Sequence, residues 1–96
     1  MMVLITYDVN TSDAAGRKRL AKVAKICVNY GQRVQNSVFE CSLDPTQLCL
    51  VRDKLRKTMN EELDSLRIYV LGSSRSDKIE HYGVKVSYDP SGPMIL

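Results

Sequence analysis

The chain has 96 residues, of which 44% are hydrophobic and 26% charged, the size and balance of one soluble globular domain. No apolar run approaches the roughly 18 residues of a membrane span, and Met1–Ile5 lacks the basic flank of a signal peptide, so neither a membrane anchor nor an exported chain is expected. Cys27, Cys41 and Cys49 form no CxxC pair and His81 is the only histidine, which argues against a disulfide framework and a closed zinc site and for reduced thiols in the cytoplasm.

Met2-Val3-Leu4-Ile5-Thr6-Tyr7 is short, apolar and partly β-branched, and reads as a central strand ending at Asp8. Asn10-Thr11-Ser12-Asp13 then offers several side chains able to cap a helix over about Ala14–Tyr30. In that helix Leu20, Val23, Ala24 and Cys27 recur on one face, with Lys18, Lys22, Lys25 and Asn29 on another, and Gly31 follows where helices commonly stop. Gln32–Leu43 fits two strands meeting near Asn36, the second alternating Val38/Glu40/Ser42 against Phe39/Cys41/Leu43. Asp44-Pro45-Thr46-Gln47 is a capped helix start, and Leu48, Val51, Leu55 and Met59 carry the second helix to about Glu62. Ser65–Leu71 alternates as a strand, 72–77 is a polar loop, and Ile79–Val86 forms a further strand before Asp89-Pro90-Ser91-Gly92-Pro93 breaks the chain.

The order β-α-β-β-α-β is the ferredoxin-like α+β pattern, an antiparallel sheet with both helices on one face and here an extra C-terminal strand. Residues 1–83 are expected to form that domain and 84–96 a tail at a dimer interface. The second sheet face is left without helices, and apolar surface of that extent usually meets a partner, which favours a homodimer.

Charge is distributed unevenly. Arg17, Lys18, Arg19, Lys22 and Lys25 fall between Ala14 and Tyr30 with no acidic residue among them, a local field that attracts a polyanion. Four segments in order then resemble one family: the strand closing in Tyr7-Asp8-Val9; Arg17, Arg19 and Leu20 in the first helix; Arg33-Val34-Gln35-Asn36-Ser37-Val38-Phe39-Glu40; and Ser65-Leu66-Arg67-Ile68-Tyr69. Together they are similar to CRISPR-associated protein 2, and the helix and the Gly31–Glu40 stretch look most like members from subtype I-C systems. The resemblance implies a ferredoxin-like homodimer with two facing Asp8 carboxylates and metal-dependent endonuclease activity on double-stranded DNA or single-stranded RNA. It also implies a complex with CRISPR-associated protein 1 that captures and integrates DNA.

The residues qualify these implications. Asp8 is either a plain cap or, paired with a second copy, a ligand of Mg2+ (Mn2+ as substitute), which commonly takes one or two carboxylates and keeps several waters. Two such carboxylates without a metal would repel and raise one pKa. Arg17, Arg19, Lys22 and Lys25 are candidate phosphate ligands. Arg33 is either another such ligand, or part of an Asp8-centred network, or an ion-pair partner of Glu40. Tyr7 reads as a core aromatic, Phe39 as core or interface, and Ser37 enters through the family motif alone. His81 reads as a surface or interface histidine and the cysteines as small core side chains. With one carboxylate and no acidic cluster, a non-catalytic scaffold competes with a nuclease. A small-molecule regulatory domain or a messenger-cleaving toxin of similar fold ranks lower.

Overall fold

The computed structural model describes residues 1–71 and 78–84. In order they form β1 (Met2–Asp8), α1 (Ala14–Tyr30), β2 (Gly31–Gln35), β3 (Val38–Ser42), α2 (Pro45–Thr58), β4 (Ser65–Leu71) and β5 (Lys78–Gly83). The strands make one sheet in the order β2-β3-β1-β4-β5, with every neighbouring pair antiparallel. The expected β-α-β-β-α-β order with an added strand is what the chain adopts. The expected loop over 72–77 and the tail beyond Val84 lie outside the described residues.

Local chemistry accounts for the helix boundaries. Asp13 caps α1 by accepting from the Gly16 N–H at 2.7 Å. Asp44 and Gln47 form a reciprocal capping box at α2, with bonds of 2.7 and 3.0 Å and Pro45 in the first turn. That helix ends at Thr58, short of the expected Glu62. The reason is a competing turn: the Asn60 carbonyl accepts from the Leu63 and Asp64 N–H groups, and its side-chain oxygen accepts from Glu62 N–H. Gly31 turns directly from α1 into β2 in an extended conformation. A Cβ there would collide with the Cys41 sulfur, so close approach to β3, rather than a left-handed stop, requires glycine.

The period of two along β1 sorts the sheet. Val3, Ile5 and Tyr7 point to the core with Phe39, Cys41, Leu66 and Ile68, under Val23 and Cys27 of α1 and Leu48, Val51 and Leu55 of α2. Met2, Leu4, Thr6 and Asp8 point the other way, and no described helix covers that second face. On it stand the exposed Met2, Leu71 and Ile79, while Val38 and Tyr69 are buried there. At the β5 edge, Arg52 of α2 grips Glu80 through both carboxylate oxygens at 2.7 and 2.9 Å, and the Tyr82 hydroxyl donates to the same carboxylate. Arg56 lies over the Tyr82 ring at 4.3 Å, so α2 latches the last strand to the core.

Candidate functional site

Asp8 is the last residue of β1, exposed on the helix-free face and opposite Ser65 in the β1–β4 ladder. Its main chain is held on both flanks. The Tyr7 N–H donates to the Ser37 carbonyl at 3.1 Å, and the Asn10 N–H donates to Asp64 Oδ1 at 3.0 Å. One register step inward, Thr6 faces Arg67, which in turn faces His81. Diagonal neighbours on such a face stand about 7–8 Å apart, so Asp8, Ser65, Arg67 and His81 share one end of it. Arg67 Nε–H donates to His81 Nδ1 at 3.2 Å, and His81 Nε2 lies 2.9 Å from the Val84 carbonyl. These bonds select the tautomer with its proton on Nε2. His81 thus has two partners, neither of which periodicity could indicate.

The donor set limits what Asp8 can hold. Among the described residues no three histidine, cysteine or acidic side chains converge. On the ladder the oxygen donors beside Asp8, among the described residues, are the hydroxyls of Thr6 and Ser65. Such a set fits a hydrated magnesium ion only when a second carboxylate joins it, as a second copy of Asp8 would supply.

Tyr7, Phe39 and Arg33 gather on the helix side of the sheet, which puts Arg33 on the side opposite Asp8. Tyr7 and Phe39, both buried as expected for core aromatics, stack with centroids 6.0 Å apart and planes at 21°. Arg33 stands opposite Phe39, its guanidinium carbon 5.1 Å from the ring centre. The expected alternative of an Arg33–Glu40 ion pair is not formed, because Glu40 follows Phe39 and projects from the opposite face, across from Gln32. Burial, reinforced by Cys27 nearby, raises the Tyr7 hydroxyl pKa, with Arg33 partly opposing the shift. Ser37 contributes its carbonyl, which anchors Tyr7.

Of the basic residues on α1, Arg17, Lys18, Lys22 and Lys25 are exposed. From Arg17 to Lys25 they span about 12 Å at 1.5 Å per residue. They lie on the outer side of the helix layer, so in one chain they and Asp8 occupy opposite sides of the sheet. Arg19 is different. It turns inward, donating from Nε to Asp64 Oδ2 at 2.9 Å and from Nη2 to Asp64 Oδ1 at 3.3 Å. Cys49 also departs from expectation. It is exposed on α2, while Cys27 and Cys41 are buried.

Asp64 is the residue that sequence reasoning missed. Its side chain has no exposed surface, and it accepts from Arg19 and from the N–H groups of Asn10 and Asn60. Burial alone would raise its pKa, but the Arg19 hydrogen bond and the two backbone donors more than offset this and leave it below the usual carboxylate range. A signal was present in the helix phase. Arg19 lies three residues after the buried Gly16 and four before the buried Val23, so its side chain borders the inner stripe and calls for an inward carboxylate.

A five-stranded antiparallel sheet with two helices on one face, and an exposed aspartate ending its central strand on the other, defines a small ferredoxin-like α+β protein. The family model described as CRISPR associated protein Cas2 matches residues 1–79, and the chain belongs to that family. It is 59% identical over 96 residues to the CRISPR-associated endonuclease Cas2 of Halalkalibacterium halodurans, covering 100% of both chains. It is 55% identical over 96 residues to the CRISPR-associated endoribonuclease Cas2 of Chlorobaculum tepidum, again covering 100% of both. Among solved structures, that of Streptococcus pyogenes Cas2 at pH 6.5 matches with a TM-score of 0.70 and 60% identity, covering 75% of this chain and 87% of that one. A hypothetical protein of Thermus thermophilus matches with a TM-score of 0.62 and 34% identity, covering 80% of this chain and 96% of that one. No helix among the described residues is long and apolar enough to cross a membrane.

Proposed function

We propose that two copies of this chain form a cytoplasmic homodimer that binds double-stranded DNA and, with a divalent metal held by the paired Asp8 carboxylates, hydrolyses its phosphodiester bonds. The observation that carries this reading is the exposure of Asp8 at the end of β1 on the helix-free face, where a two-fold partner can bring a second Asp8 to it. The naming of the Halalkalibacterium halodurans relative as an endonuclease supports it. Mg2+, with Mn2+ as substitute, supplies Lewis-acid polarisation of the phosphate and a more acidic water when bound. The chain supplies the carboxylates and holds their strand ends through the Ser37 and Asp64 contacts. Arg17, Lys22, Lys25 and Arg33 take phosphates, while Arg19 is held by Asp64. In the cell this dimer joins CRISPR-associated protein 1 and supports the DNA that is being integrated, the role we assign as the physiological one.

A single-stranded RNA endoribonuclease is the second reading, favoured by the name that the Chlorobaculum tepidum relative carries. The test is cleavage of duplex DNA and of single-stranded RNA with Mg2+ or Mn2+, comparing the native chain with Asp8→Asn at matched fold. Asp8→Asn is expected to abolish DNA cleavage while shifting stability by less than about 0.5 kcal/mol, as for an exposed side chain. Cleavage that survives Asp8→Asn removes the carboxylate from the chemistry, and a preference for RNA selects the second reading. Acquisition of new DNA in cells decides the scaffold. Normal acquisition with Asp8→Asn leaves a pure scaffold, whereas loss with the complex still assembled rejects one.

A further inference from the structure

We propose that Asp64 and Arg19 are a positioning pair that sets the strand end bearing Asp8, and that Arg19 serves the site through this pair rather than by touching a phosphate. The inference rests on the reading of Asp8 as a metal ligand and extends it to two residues that touch neither metal nor substrate.

Asp64 is the only buried charged side chain among the described residues. Each of its bonds reaches a different part of the chain: the loop after β1 through Asn10 N–H at 3.0 Å, α1 through Arg19, and the turn after α2 through Asn60 N–H at 2.9 Å. Its own carbonyl accepts from Val84 N–H at 2.9 Å, just past the end of β5. The pair also closes on one residue. Asn10 gives its N–H to Asp64 Oδ1, and its carbonyl accepts from Arg19 Nη2 at 3.5 Å. Asn10 stands two residues beyond Asp8, and the intervening Val9 is anchored in the core. On the facing strand, Asp64 immediately precedes Ser65, the ladder partner of Asp8. Both strand ends that frame the carboxylate are therefore tied to a single ion pair, its carboxylate buried and its Arg19 side chain partly exposed.

Packing tightens the same joint. A Cβ at Gly16 would collide with the Asn10 carbonyl, and a Cβ at Gly83, at φ +94°, would collide with the Asp64 carbonyl. A buried ion pair is not an economical way to gain stability, since an apolar plug of similar volume often does as well or better. A fixed, directional pair that orients backbone around a functional carboxylate is a different matter, because small displacements of a ligand-bearing strand are costly to binding.

The test uses the full chain with Asp64→Asn, Arg19→Ala, Arg19→Gln, the Arg19→Ala/Asp64→Asn double variant and Asp8→Asn, at a temperature where melting curves show each to be folded. Two quantities are read: Mn2+ affinity without nucleic acid, and the salt dependence of duplex binding in a chelator. Each change in the pair is expected to weaken Mn2+ binding about 10–100-fold, as loss of a supporting residue around a metal does, with the double variant no worse than the weaker single. The slope of log affinity against log salt is expected to stay unchanged. If Asp64→Asn does not fold, the two Arg19 variants carry the test, since Asp64 keeps its backbone donors in both. Native Mn2+ affinity in folded Arg19→Ala, alongside lost affinity in Asp8→Asn, overturns the positioning pair alone. A slope shallower by about 0.9 makes Arg19 a phosphate ligand and likewise overturns it. Native affinity in Asp8→Asn, a variant in which the pair is intact, overturns the metal reading and the pair with it.

Discussion

Arg33 faces Phe39 across the β2–β3 ladder, its guanidinium carbon 5.1 Å from the centre of the ring that stacks on Tyr7. The three side chains are layered cation, ring, ring on the helix side of the sheet, and the innermost two are buried.

That layering separates two effects by mutation. Phe39→Ala should cost about 3–5 kcal/mol, because it removes a fully buried ring and the stacking partner of Tyr7. Arg33→Ala should cost only about 0.5–1 kcal/mol, the range for an exposed cation–π contact. With Arg33 as a phosphate ligand, however, Arg33→Ala should also make the salt slope of duplex binding shallower by about 0.9. Urea denaturation and a salt titration of both variants check this. An unchanged slope for Arg33→Ala confines its role to the ring.

Asp64 makes stability acid-sensitive. Its folded-state pKa lies below the ordinary value of 3.8, so the unfolded chain binds more protons in that range. Its contribution is therefore complete above the ordinary value and is lost as pH falls through the lower folded value. Asp64→Ala should cost about 3–5 kcal/mol at pH 7, and the gap to the native chain should narrow as pH drops below about 4. Denaturation midpoints measured between pH 7 and pH 2.5 would show the two curves converging. Parallel curves would mean that the carboxylate is not held ionised.

The thiols should divide by burial. Cys49 is exposed, while Cys27 and Cys41 are enclosed, and burial together with the neighbouring Cys41 pushes the Cys27 thiol up to about 12. Burial, with Glu40 nearby, raises the Cys41 thiol as well. A thiol reagent at pH 7.5 should label one cysteine per native chain quickly and all three in denaturant. Equal rates for all three in the native protein would contradict the packing of α1 against β3.

The elements and their order were open to inspection in the sequence because they depend on neighbours in the chain. The alternation Phe39/Cys41/Leu43, the Asp44–Gln47 box and the stripe of Val23 and Cys27 are local patterns with a fixed period, and each folded as its period requires. The family motif likewise marked Asp8, and the period of two assigned Tyr7 and Asp8 to opposite faces. What separates Arg17 from Arg19 is not local. Both read as bases on one helix, and only the arrival of Asp64, 45 residues further along, turns Arg19 inward. The same holds for Arg33, whose pairing with Glu40 depends on which residue shares its side of the sheet, a matter of strand register that sets Phe39 there instead. Composition and period determine which faces are apolar. Which charges meet is decided by long-range packing, since a buried carboxylate is tolerated only where donors from separate segments converge on it.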